Sequence, residues 1–223
     1  MIRNAWHHLK RIKNSKCEII DWNFIENLLE IQTSEKVKCG NRLTHNHVFF
    51  QNVKMKVKYA VQVLSRRVSK SLKFCREHLK LDSFQNSEAT EEFILIMNDI
   101  FDLFNSHVKY SPSFYQFKNA LSKDNKLLWE NKIKHTEEYI RGLQTIDGLN
   151  IVKNSPRKVG FIGILSNILA IKQIYVNVIE NGPMSYLCTY KLSQDPLEHF
   201  FAFIRVRYGS NNNPTPFQFK STY

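Results

Sequence analysis

The chain has 223 residues, with 32 Lys and Arg against 20 Asp and Glu and a formal net charge of +12. Its 43% hydrophobic residues, including 16 Phe and 9 Tyr, exclude a disordered polar chain, and its 7 Gly and 6 Pro disfavour a turn-rich β architecture. Four widely spaced cysteines without a CxxC pair support neither a zinc ribbon nor a disulfide framework.

The N-terminal third begins with a basic stretch that lacks the apolar core of a secretory signal. Asp21 can cap a first helix that runs through Gln32. His45 and His47 are two residues apart and would point to different faces of a helix. We therefore expect solvated or capping histidines there rather than a pair of metal ligands.

The strongest helical pattern runs from Gln51 to Leu79, where apolar residues recur at steps of three or four. Basic residues occupy much of its remaining surface. Residues 1–80 hold 17 Lys and Arg against 6 Asp and Glu, so nearly all of the excess positive charge lies in this third of the chain. The pattern predicts an amphipathic basic helix whose first role is packing.

A second helix is predicted after Ser87, with acidic residues in its first turns, where the helix dipole favours them. Residues 81–108 contain six acids and no Lys or Arg. Its expected buried face includes Phe93, Met97 and Phe101. The charge separation has two interpretations, which are compatible: binding of nucleic acid by the basic region, or packing of a basic helix on an acidic one.

The middle of the chain predicts a third helix that starts at Ser111-Pro112 and runs through Leu121, and a polar helix from Asn125 to Leu143. The pattern breaks near residue 155, which we take as the boundary between domains 1–155 and 156–223. An apolar segment from residue 161 to 175 should be deeply buried. The apolar stretch 159–171 is too short to span a bilayer, and no strand is predicted.

The last predicted helix begins with Asp195-Pro196-Leu197-Glu198, and its expected core face includes Phe201. Asp195 as N-cap and Glu198 three residues later form a capping box, which needs no metal. Alternatively, Glu198 is a ligand in a two-metal nuclease site, which needs about three carboxylates around ions roughly 3.5–4 Å apart. The spacing favours the capping interpretation, and the two roles can be divided between the residues.

Several stretches of the chain resemble parts of one known family. They are IRNAWHH from residue 2, NRLTHNH from 41, KMKVKYAVQVLSRRVSKSL from 54, SEATEEFILIMNDIFDLFNS from 87, TYKLSQDPLEHFFAFIR from 189 and GSNNNPTPFQFKSTY from 209. Together they resemble the P-element-like, THAP-type DNA transposases over nearly the whole chain. Pro196 and His199 replace residues that are commoner in that family.

The resemblance implies a mainly α architecture, in which a helical GTP-binding insertion domain is followed by the C-terminal, largely helical portion of a split RNase H-like fold. It places Glu198 at the third catalytic acid, with Asp195 in a secondary role. The zinc-containing THAP domain and the first two catalytic aspartates lie outside these 223 residues. We therefore expect a truncated or domesticated transposase fragment without independent strand transfer.

The resemblance also implies GTP and Mg²⁺ as ligands and a nuclear location. For the guanine base, the candidates are Asp99, Asp102 and Asp195, because a carboxylate accepts hydrogen bonds from the ring N–H and amino groups. The phosphate candidates are Lys54, Lys56 and Lys58. Asp99 and Asp102 have an equally good alternative role as a solvated helix face paired with the basic helix.

An alternative function is a basic helical binding module that pairs with nucleic acid or with full-length transposase, in the manner of a repressor. The candidate nucleic-acid contacts are Arg66, Arg67 and Lys70. Apolar residues that would normally pack on missing strands predict self-association. No membrane partner is expected.

Overall fold

A computed structural model describes residues 1–34, 42–54, 56–110, 113–209, 211, 213 and 215–222, with side chains at 113, 114, 195, 196 and 222 outside the described set. The helices are α1 (Ile2–Leu9), α2 (Asn23–Ser34), α3 (His45–Val48), α4 (Val57–Val63), α5 (Arg66–Glu77), α6 (Glu88–Phe104), α7 (Lys126–Gly142), α8 (Ile151–Asn154), α9 (Val159–Tyr175), α10 (Asp195–Arg207) and α11 (Pro216–Thr222). The strands are β1 (Arg11–Lys13), β2 (Ile19–Asp21), β3 (Leu121–Ser122), β4 (Gln144–Thr145) and β5 (Tyr186–Leu187). The expected mainly α fold is confirmed.

The short strands correct the expectation that the chain contains none. β1 lies between β2 and β4 in an antiparallel sheet, and β3 pairs with β5. Segments of two or three residues are too short to display the alternating pattern by which a strand is recognised. The predicted third helix is also wrong at its end, because Leu121 pairs with Leu187 in β3 and β5. Only a 3₁₀ segment, Ser113–Lys118, is described there, and its proposed start at residues 111–112 lies outside the described residues.

The predicted basic helix over residues 51–79 is divided in two. Leu64 leaves the helical conformation, with φ −86° and ψ 48°, and Ser65 becomes the N-cap of α5. The Ser65 hydroxyl accepts a hydrogen bond from the Val68 N–H at 3.4 Å. A serine at an N-cap satisfies a backbone donor that would otherwise lack a partner, and this favours a new helix start over continuation. The predicted continuous stripe is therefore interrupted, and Val57 is 66% exposed.

The basic α5 packs on the acidic α6, as one interpretation of the charge pattern predicted. Arg76 Nε lies 3.0 Å from Glu91 Oε1, and Arg66 lies 2.5 Å from Asp99 Oδ1. α6 begins after Ser87 as expected, and the Ser87 hydroxyl donates to Glu91 Oε1 at 2.7 Å. Arg66 and Arg76 of α5 therefore pair with carboxylates of α6, whereas Arg67 and Lys70 of the same helix are exposed.

Two groups of buried side chains form the interior. In the first, Trp6 contacts Trp22 and Phe93 edge to face, with ring centroids 4.9 and 5.1 Å apart. The second joins the end of α6 to α7 and α9. Phe101, predicted to be buried, is 37% exposed, because α6 turns Ile100 toward α7 and α9 in this region.

Helix α9 buries only one face. The buried residues share a spacing of three or four and are Phe161, Leu165, Ile168, Ile171 and Tyr175. On the other face Val159 is 62% and Leu169 59% exposed, so the expected deep burial holds for half of the helix. A π-helical segment extends it to residue 180. The apolar stretch 159–171 is too short to span a bilayer, but with this extension Val159–Glu180 is, within the described residues, the one helix long and apolar enough by length and composition alone to cross a membrane.

The C-terminal helices α10 and α11 pack on each other, with the rings of Phe200 and Phe219 5.9 Å apart. Ile204 is fully buried, but Leu197 is 58% and Phe201 44% exposed, which corrects the predicted core face of α10. No described element covers that side of α10 extensively, so its apolar residues face outward.

Candidate functional site

A polar cleft of about 270 Å³ opens where α4, α5, α6 and the 3₁₀ segment Ser113–Lys118 meet. Its charged and amide-bearing lining residues come from four separate parts of the chain and are Arg42, Gln62, Arg66, Arg67, Asn98, Asp102 and Lys118. The α4–α5 break creates this geometry, because Ser65 turns the chain at the edge of the cleft. The cleft therefore combines several cations with one carboxylate and two amides.

Asp99, three residues before Asp102 on α6, is buried and is not among the described residues that line the cleft. Its side chain is 4% exposed and is held between Arg66 at 2.5 Å and Lys132 of α7 at 2.8 Å. Buried carboxylates require such paired charges, because desolvation of an isolated ion is costly. Asp99 thus pairs with Arg66 of the basic helix, but it is buried rather than part of the solvated helix face that the alternative role predicted.

Asp102, one helical turn further along α6, lines the cleft itself. It accepts a hydrogen bond from Asn98 Nδ2 at 3.1 Å and lies 3.8 Å from Lys118 Nζ. Burial raises the pKa of the Asp102 carboxyl, and the nearby Lys118 cation opposes that rise. An acceptor in this position, backed by an amide, is suited to receive N–H donors from a ligand.

Tyr115 forms one side of the cleft and offers an aromatic surface. Lys118 Nζ lies 4.8 Å from the centroid of the Tyr115 ring, a cation–π contact. Sequence reasoning missed Arg42, Tyr115 and Lys118. Arg42 stands inside the NRLTHNH motif, which signalled a functional region, whereas the segment around Tyr115 carried no motif.

A buried histidine orients another lining residue. The Thr44 N–H donates to His47 Nδ1 at 2.9 Å, so His47 Nε2 carries the proton and donates to Gln62 Oε1 at 2.7 Å. This exchange with Thr44 forms the cap of α3, and the expectation of a capping histidine is confirmed for His47. His45 is exposed. Among the described residues, no group of three His, Cys, Asp or Glu is arranged to hold a metal ion.

The remaining basic candidates lie outside the cleft or at its rim. Lys54, Lys56 and Lys58 are exposed on the segment before and within α4, and none of them is among the described lining residues. Arg67 lines the cleft and is exposed, and Lys70 is exposed one turn further along α5. The structure therefore brings Asp102, Arg66 and Arg67 together.

Glu198 lies on the exposed first turns of α10, beside a shallow depression that it lines with His199, Phe201 and Arg205. The N-cap of α10 is Gln194, one residue earlier than the predicted cap at Asp195, and it makes no side-chain capping bond. The Asp195 side chain lies outside the described residues. No second described carboxylate lines this depression, so the described residues do not fit a two-metal site.

Two parts of the chain match known protein families, and two known transposases are similar to it in sequence. Residues 1–120 match the family model described as "TNP-like, GTP-binding insertion domain", and residues 190–223 match "TNP-like, RNase H C-terminal domain". Human DNA transposase THAP9 is 30% identical over 229 residues, covering 100% of this chain and 24% of that protein. The Drosophila melanogaster transposable element P transposase is 32% identical over 198 residues, covering 88% of this chain and 25% of that protein.

A solved structure, the Drosophila P element transposase strand transfer complex, superposes with a TM-score of 0.77 and 26% sequence identity. The match covers 99% of this chain and 47% of the chain in that complex. This chain thus spans about a quarter of the length of the curated relatives and about half of the structural one.

Proposed function

Because this chain belongs to the family of P-element-like, THAP-type DNA transposases, we propose that its first domain, residues 1–155, binds a guanine nucleotide in the cleft between α5 and α6. Residues 156–223 then form the second domain, which carries Glu198 in the third-acid position. A nuclear location and action on DNA are part of the same proposal. The observation that carries it is the placement of Asp102 among several cations in one polar cleft.

The lining residues match the chemistry of a guanine nucleotide. Asp102 would accept hydrogen bonds from the base N1–H and 2-amino groups, and Asn98 would hold that carboxylate in place. Arg67 would contact phosphate oxygens, for which a guanidinium fork is a usual partner, whereas Lys118, 3.8 Å from Asp102, lies at the base end of the cleft. The bound nucleotide would supply a planar base with two adjacent donors and a polyphosphate anion. Adenine lacks that donor pair, so the cleft should prefer GTP.

Titration calorimetry on the folded chain tests this proposal. We expect a GTP-specific heat, a weaker or absent response to ATP, and at least a ~10-fold loss of GTP affinity in Asp102→Asn, because an amide cannot accept both base donors. Asp124→Asn, which removes an exposed carboxylate outside the cleft, is the matched control. Equal heats for GTP and ATP, or unchanged GTP affinity in Asp102→Asn, would contradict the assignment.

For catalysis, we propose that these 223 residues by themselves do not cut or join DNA strands. Support comes from the surroundings of Glu198, where the described residues bring no second acid to complete a carboxylate set. A labelled terminal-repeat duplex incubated with the chain and Mg²⁺ or Mn²⁺ should remain intact. Cleavage that disappears in Glu198→Gln would overturn this part of the proposal, whereas cleavage that persists in that variant would indicate a contaminating nuclease.

DNA contact through α5, alone or beside a full-length transposase, is a second candidate function. It is favoured by the exposure of Arg67 and Lys70 on one helix, whereas Arg66 is held by Asp99. We expect DNA retention to fall with increasing salt and to weaken in Arg67→Glu/Lys70→Glu. Lys134→Glu, an exposed charge reversal on α7, is the control, and equal weakening by this control would refute a defined contact surface.

A further inference from the structure

Two buried hydroxyl groups join segments of the chain that lie 83 residues apart. The Ser106 N–H donates to Thr189 Oγ1 at 2.9 Å, and the Thr189 N–H donates to Ser106 Oγ at 3.1 Å. Thr189 Oγ1 also donates to the Leu103 carbonyl at 2.6 Å, so the Ser106 hydroxyl is the donor in the 3.0 Å contact between the two side chains. Ser106 is fully buried and Thr189 is 2% exposed. We refer to this arrangement as the Ser106–Thr189 clamp.

The clamp holds the segment that leads into α10. The Tyr190 N–H donates to the Ser106 carbonyl at 3.2 Å and extends the connection into the 3₁₀ segment Thr189–Leu192. Helix α10, which carries Glu198, begins three residues after that segment ends. Helix α10 packs mainly against α11 and exposes most of its apolar residues, and the clamp connects the segment before it to the end of α6.

The other side of the clamp is the end of α6, close to the nucleotide cleft. Leu103, whose carbonyl receives the Thr189 hydroxyl, directly follows Asp102, which lines the cleft. Both residues belong to one continuous helix. A displacement at Asp102 therefore reaches Thr189 through one peptide unit and one hydrogen bond, which is a short contiguous path between two sites.

We propose that Ser106 and Thr189 are positioning residues that fix α10, and with it Glu198, relative to the cleft, and that a ligand in the cleft restrains α10 through them. The second half of this statement rests on the proposed nucleotide function, and the first half does not. Removal of the Thr189 hydroxyl leaves the buried Ser106 N–H without its acceptor, a loss that favours local opening of residues 189–207.

Hydrogen exchange without nucleotide tests the first half. We expect Thr189→Val to accelerate amide exchange of residues 190–207 by ~10-fold or more relative to α5 and α6, and Thr189→Ser to restore slow exchange. Thr136→Val is the matched control, because the Thr136 hydroxyl is buried on α7 and has no hydrogen-bond partner among the described residues. Ser106→Ala removes two side-chain bonds of the clamp, whereas Thr189→Val removes three, so it supplies a milder variant if Thr189→Val does not fold. Uniform acceleration throughout the chain, or none in residues 190–207, would overturn the positioning role.

The second half is tested by the same measurement with saturating GTP. Wild-type chain should show slower exchange in residues 190–207 on addition of GTP, and Thr189→Val should lose that protection while retaining GTP affinity within about threefold by calorimetry. Protection that persists in Thr189→Val would refute the coupling. If the wild type gives no GTP heat, the proposed nucleotide function fails, and the nucleotide-free experiment alone decides whether the clamp positions α10.

Discussion

Truncation of the buried Asp99 provides a sharp test of the charge network that it forms with Arg66 and Lys132. Asp99→Ala removes a carboxylate that is 4% exposed and leaves Arg66 and Lys132, which are 26% and 17% exposed, without their shared anion. Loss of one partner of a buried ion pair costs about 3–5 kcal/mol, and partial solvation of the two cations places the expected loss near the lower end, about 3 kcal/mol. Asp99→Asn keeps a hydrogen-bond acceptor and should cost less, about 1–2 kcal/mol.

The free energy of unfolding is measured by urea denaturation, with fluorescence of the buried Trp6, Trp22 and Trp129 as the signal. Asp124→Asn, at an exposed position, should stay within about 0.5 kcal/mol of the wild type. An Asp99→Ala variant as stable as this control, with an unchanged denaturant slope, would show that the Arg66–Asp99–Lys132 network is not formed. The same result would remove the reason for assigning Asp102 rather than Asp99 to the ligand.

Three further predictions follow from the buried polar groups. Because burial raises the pKa of Asp102, the folded state binds a proton more tightly than the unfolded state, and stability falls as pH rises from the ordinary aspartate pKa of 3.8 through the raised pKa. Asp102→Asn should therefore be more stable than wild type at pH 7, and the difference in stability should shrink in acid. Thermal melts at several pH values measure this difference. In urea denaturation, Tyr139→Phe should leave the free energy of unfolding unchanged or raise it by up to about 1 kcal/mol, because the Tyr139 hydroxyl is buried and has no hydrogen-bond partner among the described residues. A decrease in the free energy of unfolding of more than about 1 kcal/mol would contradict the isolation of this hydroxyl. Ser65→Ala should cost about 1 kcal/mol by the same assay through loss of the α5 cap, with Ser65→Asp close to wild type; equal losses in both variants would argue against the cap.

Local sequence patterns were sufficient for much of the helical architecture. The start of α6 after Ser87 and the course of α7 agree with the spacing of three or four, which depends on neighbours within one or two turns, although neither Ser87 nor Asn125 makes a side-chain capping bond. The pairing of a basic with an acidic helix was one of two interpretations of the charge pattern, and contacts such as Arg76–Glu91 are its physical form. The family resemblance, which rests on motifs, is confirmed by the family matches.

Local sequence patterns did not predict which residues line the cleft. Arg42, Tyr115 and Lys118 come from separate segments and meet Asp102 only because α4 ends before Ser65 and the Ser113–Lys118 segment folds over α6. The spacing of Asp99 and Asp102 is compatible with either carboxylate facing a ligand. Packing of α7 against α6 gives them different surroundings, since it brings Lys132 onto Asp99 and leaves Asp102 at the surface of the cleft.

The same distinction between local pattern and tertiary packing applies to α10. The sequence by itself determined that a helix begins near Asp195, and the family resemblance led to the prediction that Glu198 is at the third-acid position. Only the tertiary structure decided that most of the apolar side chains of α10 face outward and that the Ser106–Thr189 clamp ties its approach segment to α6. A helix start is a local balance of backbone hydrogen bonds, whereas burial and the clamp depend on which distant segments approach, 83 residues away in this case.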